Sequence, residues 1–93
     1  MTELILTAIV RKEKHGGYSS LCPELDVASR GDTIEEAQRN LQEAIAGHLQ
    51  TARHEGMLDE ILERLGVSKK EAMHKDHIFP STFSSSLAVR LPA

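Results

Sequence analysis

The chain has few aromatic side chains: one tyrosine, two phenylalanines and no tryptophan among 93 residues. Aromatic side chains bury large apolar areas, so the core must be thin and mostly aliphatic. We expect a single domain, residues 1–93, that buries about 60–65% of its unfolded surface. Because domains with small cores are often completed by a partner, we expect a homo-oligomer or a complex.

The sequence also lacks clustered positive charge, paired cysteines and long apolar runs. The formal net charge is −3 and the Lys and Arg residues are scattered, which argues against a broad nucleic-acid-binding surface. Cys22 is the only cysteine, so a reducing compartment is expected, with the cytoplasm as the default. We interpret Cys22 as a core residue. No signal peptide or membrane span is visible, so no membrane association is expected.

One stretch, Gly31-Asp-Thr-Ile-Glu-Glu-Ala37, has the features of a helix start. Thr33 is a good N-cap and Glu36 follows three residues later, which completes a capping box. Gly31 suits a sharp turn, because glycine adopts backbone angles that other residues resist. Apolar spacing then predicts one long helix over residues 34–54 that packs on a sheet. The residues on this apolar stripe are Ile34, Ala37, Leu41, Ala44, Ile45, His48, Leu49 and Ala52.

Three strand patterns precede this helix. Residues 3–13 form the first, with alternate residues on opposite faces and apolar side chains on both. Gly16 and Gly17 can supply the positive φ of a turn into a second strand, residues 18–22. Pro23 ends that strand because it has no amide hydrogen, and residues 27–30 form the third strand.

The chain after the long helix is interpreted as a second, shorter helix over residues 57–65 and a tail over residues 67–93. The predicted core is thus residues 1–66. The fold class is therefore α+β: an antiparallel three-stranded sheet with one long helix on one face (βββα), a second short helix and a C-terminal strand.

Within the tail, Ser68 and Glu71 have capping-box spacing and predict one or two helical turns. The serine-rich residues 74–86 predict an extended, loop-like path. Apolar and other residues then alternate over residues 87–91, which predicts a last short strand.

Residues 18–46 carry several motifs in one order: Tyr18, Pro23-Glu-Leu25, Gly31-Asp-Thr33, Glu35-Glu-Ala37, Asn40-Leu41 and Glu43-Ala44. Together they resemble the HicB family of antitoxins and small HicB-like proteins. The resemblance implies a partial RNase H-like sheet with a helix on one face. It also implies that the protein binds and neutralises a small HicA-type RNase toxin by masking its active site.

HicB-like proteins often carry a C-terminal helix-turn-helix or ribbon-helix-helix segment for operator DNA. This chain departs from that pattern, because too few residues follow Gly66 for a full helical DNA-binding domain and the tail has no basic recognition helix. Operator DNA binding is therefore not expected here.

A sheet that one helix covers on one side has an open second face, which would carry Ile5, Ile9 and Leu21. An exposed apolar patch of this kind indicates an interaction surface, unless the second helix or another copy of the chain covers it. Glu24 and Asp26, at the neighbouring bend, would complement a small basic HicA-type toxin. We therefore predict Ile5, Ile9, Glu24 and Asp26 as partner-binding residues. The alternative is a homo-oligomeric HicB-like module without a toxin, whose tail strand pairs within a dimer.

Catalytic and metal-binding interpretations have less support. Glu24, Asp26 and Asp32 could serve a vestigial RNase H-like nuclease, but a turn and a helix start explain them more simply. His74 and His77 are three residues apart, a spacing that occurs in zinc sites, but a structural zinc site requires four ligands. We therefore predict no cofactor, no metal site and no enzymatic activity. His48, on the helix stripe, is interpreted as a packed or boundary residue; the two tail histidines are interpreted as solvated.

Overall fold

The structure, a computed structural model, describes residues 2–68 and 75–92. It contains an antiparallel three-stranded sheet, a long helix, a short helix and a C-terminal strand, which confirms the predicted α+β class. The elements in chain order are β1 (Glu3–Leu4), β2 (Ile9–Lys12), β3 (Tyr18–Cys22), β4 (Val27–Gly31), α1 (Ile34–His54), α2 (Leu58–Arg64) and β5 (His77–Ile78).

Strands β2, β3 and β4 form the larger sheet, with β3 in the centre. Leu21 lies opposite Ile9 on one side and opposite Ala28 on the other. The β2–β3 turn contains Gly16 and Gly17 with φ of +106° and +78°. The two glycines therefore supply the positive φ that the sequence predicted for this hairpin.

Helix α1 begins at the predicted capping box. The Thr33 hydroxyl accepts a hydrogen bond from the Glu36 N–H at 3.1 Å. The buried residues Ala37, Leu41 and Ala52 lie on the predicted apolar stripe. His48, interpreted from the sequence as a packed or boundary residue, is exposed and therefore not packed, and it lies at the edge of the apolar stripe. A helix of this length spans about 30 Å, whereas five-residue strands span about 17 Å, so α1 is much longer than the strands on which it packs.

Gly31 lets α1 approach β4 closely. A Cβ at this position would lie 2.5 Å from the Ala37 nitrogen. Gly31 does not have a positive φ, so the close approach of α1, rather than an unusual backbone angle, accounts for a glycine at this turn. Two hydrogen bonds join α1 to the sheet: Ser20 Oγ of β3 donates to the Ala37 carbonyl at 2.9 Å, and Asn40 Nδ2 of α1 donates to the Arg30 carbonyl of β4 at 2.8 Å.

The predicted first strand, residues 3–13, is two separate strands. β2 joins the larger sheet, whereas β1 pairs in parallel with β5, with Glu3 opposite His77 and Leu4 opposite Ile78. Between them, Thr7 hydrogen-bonds through its backbone N–H and hydroxyl to the Glu24 carboxylate rather than to a strand. The alternation of apolar residues along the chain cannot reveal this long-range contact. The sequence therefore predicted one strand where the structure has two.

A second core lies beside this small parallel pair. Leu65, Val67 and Ile78 are its buried residues, and partly buried side chains pack against it: Leu4, Leu25, Ile61 and Leu62. Helix α2 lies within the predicted residues 57–65, and Gly66 follows it with φ of +77°, as expected for a helix end.

The predicted last strand, residues 87–91, is not formed. Residues 79–92 form no strand. The C-terminal strand is β5, which lies inside the stretch predicted as a loop. Phe83, Leu87, Val89 and Leu91 are 82–95% exposed. The Cα radius of gyration is 15.6 Å, whereas a compact chain of this length has about 12 Å. The helical turns predicted after Ser68 lie outside the described residues.

Candidate protein-interaction surfaces

The structure distributes the predicted partner-binding residues over three places. Ile9 lies in β2, on the larger sheet. Ile5 lies at the end of the β1–β5 pair, where its N–H donates to the Ile78 carbonyl at 2.8 Å. Glu24 and Asp26 lie together in the β3–β4 turn. The prediction that Ile5 and Ile9 share one strand face is wrong, because residues 5–8 separate strand β1 from strand β2.

The face of the larger sheet away from α1 is called the open face. Ser20 hydrogen-bonds to α1 and Cys22 is buried, so the alternating residues Ser19 and Leu21 point away from the helix. The strand register then defines the rows on the open face, which are Ile9–Leu21–Ala28 and Arg11–Ser19–Arg30.

The open face combines apolar and basic chemistry. Ile9 is 50% exposed, and the two arginines, Arg11 and Arg30, are also exposed. The arginines are separated by one strand, so their backbones lie about 10 Å apart. A surface of this kind suits an apolar or anionic contact rather than a basic one.

A groove beside the β3–β4 turn is acidic, whereas the open face is basic. This turn groove, of about 450 Å³, lies between the β3–β4 turn, the end of α1 and α2. Its lining includes three acidic residues, Glu24, Asp26 and Glu55. Its apolar lining residues are Leu25, Ala52, Met57, Ile61 and Leu65, and His48, Thr51 and Arg64 complete it. The groove therefore offers an apolar floor with an acidic border.

The local geometry of the β3–β4 turn places Asp26 at this border. Asp26 has φ of +54°, a left-handed conformation that aspartate tolerates better than most residues. The residue is exposed, and Glu24 is half-buried on the inner side of the same turn. Both residues thus serve the turn, as the simpler interpretation predicted, and Asp26 also faces solvent.

The Glu24 carboxylate is held by its own chain. It accepts hydrogen bonds from the Thr7 hydroxyl at 2.7 Å, from the Thr7 N–H at 3.1 and 3.2 Å, and from Cys22 Sγ at 3.5 Å. Burial alone raises the pKa of this carboxyl, but the hydrogen bonds from Thr7, the turn backbone and Cys22 outweigh it. The net pKa of Glu24 is lowered from its ordinary 4.5, so the group is ionised at neutral pH.

Cys22 is the buried donor in this cluster. Burial raises the pKa of its thiol, and the nearby negative charge of Glu24 raises it further. A thiol in this state stays protonated at neutral pH and donates to the carboxylate. The position is that of a core residue, as the sequence predicted.

The three carboxylates considered for a nuclease are not brought together. Asp26 precedes β4 and Asp32 follows it, so six residue steps of extended chain, about 20 Å, separate them. Glu24 is occupied by Thr7. Within residues 2–68 and 75–92, no group of three or more His, Cys, Asp or Glu side chains could hold a metal ion. His74 lies outside the described residues.

Sequence reasoning did not identify the helical wall of the turn groove. Glu55 ends α1 as its C-cap, and Met57, which is 42% exposed, precedes α2. Gly56, with φ of +72°, reverses the chain between them. That glycine was the only local signal, because the sequence does not reveal that this reversal faces the β3–β4 turn.

The chain is 41% identical over 59 residues to the UPF0150 protein ssr1765 of Synechocystis sp.. That alignment covers 60% of this chain and 75% of the relative. The chain belongs to the UPF0150 family. A second UPF0150 protein of this organism, ssl0738, is 49% identical over 41 residues, or 43% of this chain.

The chain spans just over half, 57%, of the length of ssl0738. No protein-family model and no solved structure matches the chain. Neither α1 nor α2, within the part that the structure describes, is long and apolar enough to cross a bilayer. Membership of the UPF0150 family therefore identifies relatives of this protein without stating an activity for them.

Proposed function

We propose that this UPF0150 protein is a HicB-like antitoxin, a non-catalytic cytoplasmic protein that binds and neutralises a small basic HicA-type RNase toxin. The observation that carries the proposal is the turn groove, in which exposed Asp26 and Glu55 border an apolar floor. The resemblance of residues 18–46 to HicB proteins and the UPF0150 relatives support it.

The turn groove suits a basic partner in charge and offers it apolar contact area. Acidic side chains at its border speed encounter with a positively charged protein and orient it. Met57 and Leu25 provide adaptable apolar contact area beneath that border. On this proposal the border acts mainly on the association rate and the floor mainly on the lifetime of the complex.

The remaining predicted contact residues have different positions relative to the groove. Ile9 is accessible on the open face, and Ile5 is 37% exposed beside the small parallel pair. Glu24 faces inward onto Thr7, so any role in binding would be to hold the turn that carries Asp26. Ile5, Ile9 and Glu24 stay predicted contact residues alongside the groove border.

The test is binding to a small basic HicA-type RNase whose gene lies next to the gene of this protein. Co-expression and pull-down detect the complex, and stopped-flow mixing then measures the association rate. Asp26→Asn and Glu55→Gln remove the border charges while they keep the side-chain shape. Together they should lower the association rate several-fold at low salt, and the difference should shrink as salt is added. The matched control is Glu35→Gln, in the first turn of α1 at the other end of the helix.

Two results would contradict the proposal. One is the absence of binding to any such RNase. The other is an equal loss of association rate in the Glu35 control, because that would reflect only the net charge of the protein and not the groove.

A further inference from the structure

The exposed tail has the pattern of a half-buried strand. Its odd-numbered positions include four large apolar side chains, and its even-numbered positions from Ser84 to Arg90 are small or polar. In an extended chain these sets point to opposite sides. The apolar side, which is almost fully solvent-exposed, consists of Phe83, Leu87, Val89 and Leu91.

The larger sheet has one protected edge and one open edge. At the β4 edge, Asn40 from α1 already bonds the Arg30 carbonyl. The β2 edge has no neighbour among the strands that the structure describes. The Glu13 N–H donates to the Gly17 carbonyl, so by antiparallel alternation Arg11 also bonds inward and Lys12 presents its backbone groups outward.

We propose that the tail strand, residues 83–91, of one copy pairs with the outer edge of β2 in a second copy, and that the exchange is reciprocal. Each sheet then has four strands, and the two copies are related by a two-fold axis. A reciprocal exchange closes on itself, so it satisfies both tails and both edges without forming a filament.

The position of the tail favours a second copy over the chain's own sheet. The tail leaves the body at Ser81, whose N–H donates to the Leu65 carbonyl at 2.8 Å, beside the second core. Its four large apolar side chains are 82–95% exposed, so they make little contact with the body of their own chain. The tail is therefore not packed on its own sheet, and it is available to a second copy.

The apolar area is sufficient for a stable dimer. A buried phenylalanine alone contributes about 150–250 Å². Two tails, each with four large apolar side chains, together with the surfaces that they cover, reach the standard interface size of about 1,600 Å². Ile9, half exposed at the start of β2, extends the receiving surface onto the open face.

The first experiment measures the mass of the full-length protein by analytical ultracentrifugation at about 10 µM, a concentration at which a micromolar dimer is populated. The wild type should sediment as a dimer of the 10.3 kDa chain. Val89→Glu, on the apolar side, should weaken dimerisation about 30-fold or more, as loss of a central interface residue does. Ala88→Glu adds the same charge on the opposite side and should leave the dimer intact.

A second variant tests the receiving edge. Lys12→Pro removes an outward N–H, and proline is tolerated on edge strands where that group faces solvent. The hairpin should keep its circular dichroism spectrum while the dimer dissociates.

Three outcomes would overturn the proposal: a monomeric wild type, a dimer that Val89→Glu does not weaken, or equal weakening by Ala88→Glu. A tail that folds onto its own sheet, or that serves only a different protein, would give the first of these. Loss of the dimer in both Val89→Glu and Lys12→Pro, with Ala88→Glu unaffected, would support it.

Discussion

The two cores of this protein are built from different parts of the chain. The core under α1 uses Cys22, Ala37 and Leu41, which lie within one strand–helix unit. The second core joins Leu4 and Ile78 from near the two ends of the chain. A capped helix packed on a hairpin is therefore predictable from neighbouring residues, whereas a core held by two-residue strands depends on distant pairing.

The largest expected effect is at the first core. Leu41→Ala should lower the free energy of unfolding by about 3–5 kcal/mol, because Leu41 is 2% exposed and its truncation leaves a cavity between helix and sheet. Urea unfolding monitored by circular dichroism measures it. Ile34→Ala on the same helix, where the side chain is 45% exposed, is the control and should cost less than about 1 kcal/mol. Equal losses would mean that α1 does not bury Leu41 against the sheet.

The second core should respond less. Ile78→Ala should cost about 2–3 kcal/mol, because Ile78 belongs to a pair of two-residue strands that can relax around the cavity. If the cores are independent, the loss in the Leu41→Ala, Ile78→Ala double variant should equal the sum of the single losses within about 0.5 kcal/mol. A clear departure from that sum would show that the two cores are coupled.

Two glycines should change the free energy of unfolding in opposite directions when they are replaced by alanine. Gly31 lies where β4 meets α1, and Gly47 lies inside α1. Gly31→Ala should destabilise by about 1–3 kcal/mol, because its Cβ would lie 2.5 Å from the Ala37 nitrogen. Gly47→Ala, inside α1 with nothing within 4 Å, should stabilise by about 0.5–1 kcal/mol. Thermal unfolding of both variants measures the difference, and a neutral Gly31→Ala would contradict the close approach.

The smallest effect concerns the contact that joins the two regions. Glu24→Gln should cost about 1 kcal/mol at pH 7, because charge-assisted hydrogen bonds to Thr7 are replaced by neutral ones at a partly solvated site. The folded-state pKa of Glu24 is lowered, so this stabilisation is fully present above the ordinary pKa of 4.5 and is lost as pH falls through the folded-state pKa.

Urea titrations at several pH values between neutrality and strong acid measure this effect. The difference between wild type and Glu24→Gln should shrink on acidification. A difference that stays constant with pH would show that the ionised form is not the one that holds Thr7. Glu35→Gln, in the first turn of α1, is the control for general charge effects.

The sequence predicted the parts of the fold that depend on local chemistry. Thr33 and Glu36 located the start of α1, the paired glycines located the hairpin, and strand Tyr18–Cys22 has its predicted bounds. It did not predict the break at Thr7, because the group responsible, the Glu24 carboxylate, is 17 positions away. The sequence predicted a last strand at residues 87–91, which the structure does not form. Alternation of apolar residues shows that a segment can form a strand, but it does not show whether the edge of a sheet lies beside that segment.

The candidate sites were predictable to a similar degree. Asp26 and Glu24 were identified from their bend, and the structure places both in the turn groove. Glu55 and Met57 were missed because they come from a different part of the chain, and only the packing of α2 brings them opposite the turn. Arg11 and Arg30 share the open face only through the strand register, so their proximity could not be recognised from scattered charges.

The parallel pairing of β1 with β5 also sets an order of events during synthesis. Glu3 lies opposite His77 across a loop of more than seventy residues, and closing a loop of that length costs entropy that local contacts do not. The Leu65–Val67 side of the second core therefore stays uncovered until Ile78 has left the ribosome, whereas the hairpin and α1 can assemble earlier. A nascent chain of this protein can therefore form its first core before residue 78 is available, and its second core only afterwards.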